Sequence, residues 1–223
     1  MRAAYSRTED ALGRSAADQL AGDAELVALE SPRAVLDAVE AGDVQLGVVP
    51  FEDSVGGSAT AVVDHLVFGT EHVVVVGEVD QLVPDADPPT TRRHVAVARD
   101  PQPPPTAAQT LVFVVPGFNR PGTLTEVLAS FSSRGINLTR VESRPLAGHL
   151  GMYGFVVEFE GTVTDPVVHD ALGDVLAAAS TVKFLGTFAA GRRAWGHVTG
   201  REVRGNLLHD LDDVVALADR LGG

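Results

Sequence analysis

The segment Phe51-Glu52-Asp53-Ser54-Val55-Gly56-Gly57-Ser58 brings together side-chain and backbone groups that could hold a small anion. The hydroxyls of Ser54 and Ser58 and the N–H groups of the glycines are closely spaced donors, which is what binding a carboxylate requires. The same composition also suits a strand-to-helix turn with a capping serine, so the residues alone leave both readings open. Gly122 is a second candidate. It opens an apolar-periodic stretch, and the free N–H groups and positive dipole end of a helix starting there suit the carboxylate of an amino acid. Glu142 and Arg144, taken alone, read as a surface ion pair flanking a strand. Histidines at 65, 72, 94, 149, 169, 197 and 209 show no HExxH or similar spacing, and Asp210, Asp212 and Asp213 read as the solvated face of a helix. No GxGxxG after a strand, phosphate-binding P-loop or GxSxG elbow is present, so neither metal nor cofactor is expected.

Composition narrows the classes further. The chain has no cysteine, which removes disulfides, thiolate nucleophiles and sulfur-ligated metals and suits a reducing compartment; cytoplasm is expected. A formal net charge of -13 with 5% aromatic residues argues against a nucleic-acid partner, which would need clustered Lys and Arg or stacking platforms. No apolar run approaches the roughly 18 residues of a membrane span, and the amino terminus lacks a signal-peptide core, so a soluble protein without a membrane partner is expected. At 223 residues the chain can bury two cores.

The elements that must position these groups follow from hydrophobic periodicity. Residues 1–100 alternate short apolar runs with helical stretches, the pattern of an α/β layer with mostly parallel strands. Strands are predicted at Arg2–Tyr5, Glu25–Leu29, Leu46–Pro50, His72–Val79 and Arg93–Ala98. Helices are predicted at Leu12–Leu20, from Ser31 and Pro32 to Gly42, and, capped by Ser58 or Thr60, to about Val67. Asp80–Pro89 reads as a surface connection. The prolines of Pro101–Thr106 mark an extended linker, placed at 101–109. From 110 to 188 the order is strand from Leu111, helix Gly122–Ser133, strand Asn137–Ser143, strand Tyr153–Phe159, helix Pro166–Ala179 and strand Val182–Phe188, a ferredoxin-like βαββαβ unit. A tail, 189–223, carries one amphipathic helix over Leu207–Leu221.

Gly135-Ile136-Asn137-Leu138-Thr139-Arg140-Val141-Glu142-Ser143-Arg144-Pro145 closely resembles the GINLT and ESRP signature of the ACT regulatory domain that ends the prephenate dehydratases. Arg120-Pro121-Gly122-Thr123-Leu124, Gly151-Met152-Tyr153 and Leu185-Gly186-Thr187-Phe188 resemble further parts of that domain. Val48 to Ser58 is similar to the family's VVPIENSIEGS segment. The resemblance implies a periplasmic-binding-protein-like α/β lobe over 1–100 and an ACT domain over 110–188. It also implies a phenylalanine-type effector site built from Gly122, Thr123, Leu124, Asn137, Leu138, Glu142, Ser143, Arg144 and Pro145, between two copies in a homodimer or tetramer. Asn137 is expected across from the Gly122 loop. Thr123 replaces the family's alanine and would narrow that pocket or add a hydroxyl contact.

The resemblance further implies a prephenate site that includes Glu52, Ser54, Gly57 and Ser58, together with the catalytic Thr-Arg-Phe motif. Thr90-Thr91-Arg92-Arg93-His94 stands at its place, and two alignments fit: Thr91-Arg92 as Thr-Arg, or Arg93-His94 as Arg-Phe. Thr91, Arg92 and Arg93 are therefore the catalytic candidates. The family's GPxGTFS opening is replaced by Ser6 to Leu12, and the family's second lobe is replaced by Asp80–Thr90 alone. The expected protein is thus a catalytically reduced relative that senses phenylalanine or a similar amino acid. The alternatives are an active enzyme on prephenate, a dehydratase giving phenylpyruvate or a decarboxylase, with its site completed by another chain, and a dimerisation module whose ligand site is vestigial.

Overall fold

The computed structural model describes residues 1–83, 86, 87, 89–100, 108–146, 148 and 150–189, without the side chains of residues 9 and 10. These lie in one compact unit, Met1–Gly191. The predicted linker prolines and the tail helix lie outside the described residues. The elements are β1 (Arg2–Ser6), α1 (Asp10–Ala21), β2 (Glu25–Leu29), α2 (Pro32–Ala41), β3 (Leu46–Asp53), β4 (Gly57–Ser58), α3 (Thr60–Asp64), β5 (Val74–Val83), β6 (Thr90–Ala98), β7 (Ala108–Pro116), α4 (Thr123–Ser132), β8 (Leu138–Pro145), β9 (Tyr153–Glu160), α5 (Pro166–Ala178) and β10 (Ala179–Ala189). A π-helical turn, His65–Gly69, continues α3.

Local chemistry explains the best-formed helix ends. Ser31 caps α2 by accepting the Ala34 N–H at 3.1 Å, and Pro32 stands in the first turn, where a missing N–H costs nothing. Gly42 ends the helix in the left-handed region with φ 80°, its N–H turned back to the carbonyls of Ala38 and Val39. The expected caps of α3 differ: Ala59 holds the cap position, and no side chain bonds there. Ser58 is engaged elsewhere.

All strands join one sheet in the order β2-β1-β3-β6-β5-β10-β7-β9-β8, with β4 folded back on β3. Only β1 with its neighbours β2 and β3, and β5 with β10, run parallel. The mostly parallel first half expected from the sequence is therefore corrected. β5 and β6 form an antiparallel hairpin in which Val83 pairs with Thr90, because the short link between them cannot carry the dozen or more residues of a crossover. Asp80–Val83, expected in a surface connection, is strand for the same reason. In the second half the βαββαβ order appears with its strands arranged fourth, first, third, second.

The two halves meet where β10 pairs with β5 at Gly186 and Val75. Gly186 has φ 141°, and a Cβ there would overlap the Val75 backbone, so only glycine permits this approach. β7 serves two cores by alternation. Leu111 and Phe113 pack with Leu36, Phe51, Leu66 and Phe188, while Val112 and Val114 pack with Phe131, Phe159 and Val175 beneath α4 and α5. The first core draws on both halves of the chain. No described helix is long and apolar enough to cross a membrane.

Candidate functional site

Two concavities each gather some of the candidate residues. The first is a surface groove of about 430 Å³ lined by Glu52, Asp53, Gly57, Ser58, Thr90 and Arg92 among others. β3 runs on to Asp53, and β4 pairs back with it, so the expected loop is a tight hairpin with Ser54 at its tip. The donors expected to hold a ligand carboxylate are partly used within that turn. Asp53 Oδ1 accepts the N–H groups of Val55 at 2.9 Å and Gly56 at 2.8 Å, filling the place an incoming carboxylate would take. The Gly56 N–H, helped by Val55 and Arg92, outweighs burial and holds the Asp53 carboxyl below its ordinary range. Ser54 and Thr91 lock together: Ser54 N–H donates to the Thr91 carbonyl at 2.8 Å, and Thr91 N–H donates to the Ser54 side-chain Oγ at 2.9 Å. Both side chains lie on the exposed rim rather than in the groove.

Behind the groove the halves are joined by charge. Arg93 is 4% exposed and donates to Glu158 at 2.9 and 3.2 Å. It also pairs with Glu78 and, at 3.6 Å, with Glu52, and its guanidinium faces the rings of Phe51 and Phe188. Burial alone would lower this guanidinium's pKa; the charges of Glu158 and Glu78 outweigh burial and raise it. A second layer links Ser58, which donates to Glu142 at 2.7 Å, with Arg140, which bonds Glu142 at 2.6 Å and Ser58 at 2.5 Å. Arg144 completes it, bonding Asp64 at 2.7 and 2.5 Å and Glu142 at 3.1 Å. Burial pushes Glu142 up, but the Ser58 hydroxyl and the two arginines hold it below the usual carboxylate range.

The second concavity, about 230 Å³, lies at the start of α4. Val115, Phe118, Leu124, Leu146, Met152 and Phe155 make its walls largely apolar, and Arg120 is the one charged residue among those lining it. Gly122, with φ 91°, stands at the cap position of α4, and no side chain satisfies the first turn. The Thr123 hydroxyl is turned to the Arg120 carbonyl at 2.9 Å. The N–H groups of Leu124 and Thr125 have no side-chain cap at the cavity, and the Arg120 guanidinium beside them is paired with Glu126 at 2.9 Å, so the helix dipole and the uncapped donors are what would suit an anionic group beside the apolar recess.

The prephenate dehydratase family model matches residues 5–84 of the chain. The prephenate dehydratase of Amycolatopsis methanolica is 44% identical over 87 residues, covering 39% of this chain and 29% of the relative. The structure of the Streptococcus mutans prephenate dehydratase superposes with TM-score 0.73 at 28% identity, over 85% of this chain and 98% of that one. Residues 5–84 thus match the prephenate dehydratase family, and the fold is similar to that of solved prephenate dehydratases. The prephenate dehydratase of Arthrobacter aurescens, solved in complex with L-Phe, shares the fold with TM-score 0.72 at 23% identity, over 85% of this chain and 90% of that one. The chain spans about a third of the length of the curated prephenate dehydratases it matches.

Within this prephenate dehydratase relative the expected site residues are distributed unevenly. Glu52, Gly57, Ser58 and Arg92 line the groove; Ser54 and Thr91 sit at its rim, and Arg93 lies in the core. Gly122, Thr123 and Leu124 line the α4 cavity, whereas Asn137, Leu138, Glu142, Ser143, Arg144 and Pro145 do not. Asn137, expected across from the Gly122 loop, bonds Glu160 at 3.2 Å beyond the opposite end of α4, because the helix separates the two positions by its full length. Leu138 packs toward the α4–α5 core, and Ser143 is exposed. Glu142 and Arg144 face the first half instead of the cavity. Sequence reasoning missed Met152 and Tyr153 as cavity residues, although their motif was noted, missed Asp64 as the partner of Arg144, and missed Glu158 and Lys183 entirely. Among the described residues no group of ligands could hold a metal.

Proposed function

We propose that this chain is a catalytically reduced member of the prephenate dehydratase family and acts as a sensor of phenylalanine or a similar amino acid. In this reading, residues 1–100 are a single truncated periplasmic-binding-protein-like lobe and residues 110–188 an ACT domain. The observation that carries the sensor reading is the α4 cavity, where the uncapped N–H groups of Leu124 and Thr125 adjoin an apolar recess, with Arg120, paired to Glu126, at its edge. An amino acid with an apolar side chain matches both ends, and Asn119 offers an acceptor for its ammonium group. Phe118, Leu150, Met152 and Tyr153 are exposed around the cavity, which supports closure by a second copy of the chain.

Reduced catalysis is supported by the groove. It is open to water, its turn donors are occupied by Asp53, and Arg93, one of the two candidates for the motif arginine, is committed to three carboxylates. Elimination from a dicarboxylate needs preorganised donors in a dry site. The test is direct. L-phenylalanine at a hundredfold excess over its Kd is expected to stabilise the protein by about 2.7 kcal/mol, read as a rise in Tm. Incubation with prephenate is expected to give no phenylpyruvate absorbance in alkali. Turnover that Thr91→Ala abolishes would overturn the reduced-catalysis reading, and absence of any shift with L-phenylalanine would overturn the sensor.

A further inference from the structure

The segment formed by α3 and its π-helical turn is gripped from the second half at its middle and at its carboxyl end, and both grips back onto the wall of the α4 cavity. At its carboxyl end the carbonyls of Leu66, Val67 and Thr70 converge on Lys183 of β10, which donates to them at 2.9, 2.9 and 2.5 Å. Helix termini leave such carbonyls without intrahelical donors, and the three N–H bonds of an ammonium satisfy all three at once. In the middle of the segment Asp64 accepts from Nε and Nη2 of Arg144. Phe68, in the π turn, packs edge-on against Phe113, with ring centroids 5.4 Å apart.

These grips share one neighbour. Gly154 is the cross-strand partner of Arg144, and its Cα lies so close to the Phe113 ring that an added Cβ would overlap it. Phe113 is in turn the cross-strand partner of Lys183. On the other face of the same strand, Tyr153 and Phe155 line the α4 cavity. One face of Tyr153–Phe155 thus forms the ligand wall and the other supports the contacts that hold α3. The amino end of α3 adjoins Ser58 and Ala59, which line the groove.

We propose that Thr60–Gly69 is the element that reads occupancy of the α4 cavity and passes it to the groove, with Lys183, Arg144 and Phe113 as the coupling residues. This rests on the sensor reading for its ligand, while the coupling is a property of the packing and has its own test. A ligand that binds one arrangement of Tyr153–Phe155 better than another shifts the grip on α3, and groove ligands are linked reciprocally.

Hydrogen exchange on the full chain tests the coupling without any ligand. Gly154→Ala must displace the Phe113 ring, and amides of residues 65–70 are expected to exchange at least tenfold faster, while those of α2 keep their rate and report an intact fold. Unchanged exchange at 65–70 overturns the proposal, whatever the cavity binds. With L-phenylalanine, slower exchange is expected at 60–70 as well as at 151–155 in the wild type. Lys183→Met and Arg144→Gln should retain the slowing at 151–155 and lose it at 60–70; slowing at 60–70 that persists in both overturns the proposal. Absence of slowing at 151–155 in the wild type counts against the sensor reading alone, and the Gly154→Ala result then decides the coupling.

Discussion

Replacing Arg93 by methionine is expected to expose the cost of the charge cluster that joins the two halves. Glu78 and Glu158 have side chains with no solvent exposure, and Arg93 bonds both. Methionine fills a similar volume but leaves buried carboxylates without their guanidinium, a change that typically costs about 3–5 kcal/mol. Protonation sets a ceiling. A carboxyl with an ordinary pKa near 4.3 takes up a proton at pH 7 for about 3.7 kcal/mol, so beyond that cost the variant neutralises a carboxylate instead. The expected loss is therefore about 3–4 kcal/mol at pH 7. The sign of its pH dependence follows from the same step: a carboxyl whose folded form prefers the proton adds a penalty that grows as pH rises above its unfolded value and fades as pH falls toward it. The gap between wild type and variant should shrink by about 1.4 kcal/mol for each unit from pH 7 to pH 5. Urea unfolding of both proteins at pH 7, 6 and 5 measures this. A loss below about 1 kcal/mol at pH 7, or a gap equal at all three values, would refute the assignment of Arg93 as a structural tie.

Other outcomes follow from neighbouring groups. Asp53→Ala should cost about 1–2 kcal/mol by removing a charged acceptor from two N–H groups. Because the folded Asp53 carboxyl is held low, that contribution is present above its unfolded pKa and lost as pH falls through its lowered folded value, so urea unfolding should show the variant and wild type converging in acid, below the ordinary carboxylate range. His94 is fully buried, and burial, aided by the Arg92 charge, pushes its pKa down to about 4. The unfolded chain therefore binds the proton first. Stability should decline by up to about 1.4 kcal/mol per unit as pH drops from about 6.5 toward 4, a slope that His94→Gln should flatten in thermal melts. Met152→Asp sets a carboxylate in the α4 cavity, roughly 6 Å from a bound anion; at an effective dielectric near 40 this costs about 1.4 kcal/mol, so calorimetry should find L-phenylalanine about tenfold weaker.

Local features were legible in the sequence in proportion to how locally they are determined. Ser31, Pro32 and Gly42 predict α2 because capping and φ preferences act within a few residues, and the βαββαβ order follows from periodicity for the same reason. The direction of β6 was less legible: a strand's neighbours depend on connection length, and the short span between Val83 and Thr90 outweighed the α/β pattern of the preceding elements. Side-chain partners far apart in the chain left no pattern to read. Glu158 lies in an apolar strand 65 residues from Arg93, and nothing in its surroundings separates a buried ion-pair acceptor from an exposed glutamate. Glu142 and Arg144 were noticed through their motif, yet their orientation toward Ser58 and Asp64 rather than the cavity is fixed by strand register. The cavity was half legible. Gly122 announces a helix start, whereas the contribution of Met152 and Tyr153 depends on where the β8–β9 hairpin folds.

The Val83–Thr90 pairing also bears on how such a chain can change architecture. Two adjacent antiparallel strands end their pairing there side by side, about 5 Å apart. A domain whose own termini lie close together could be spliced between them without altering the pairing of any other strand, and could be excised as cleanly. Gain or loss of such a domain at that seam would be a single modular event, and the joint between the two halves, at Gly186 and Val75, lies elsewhere and would be left untouched by it.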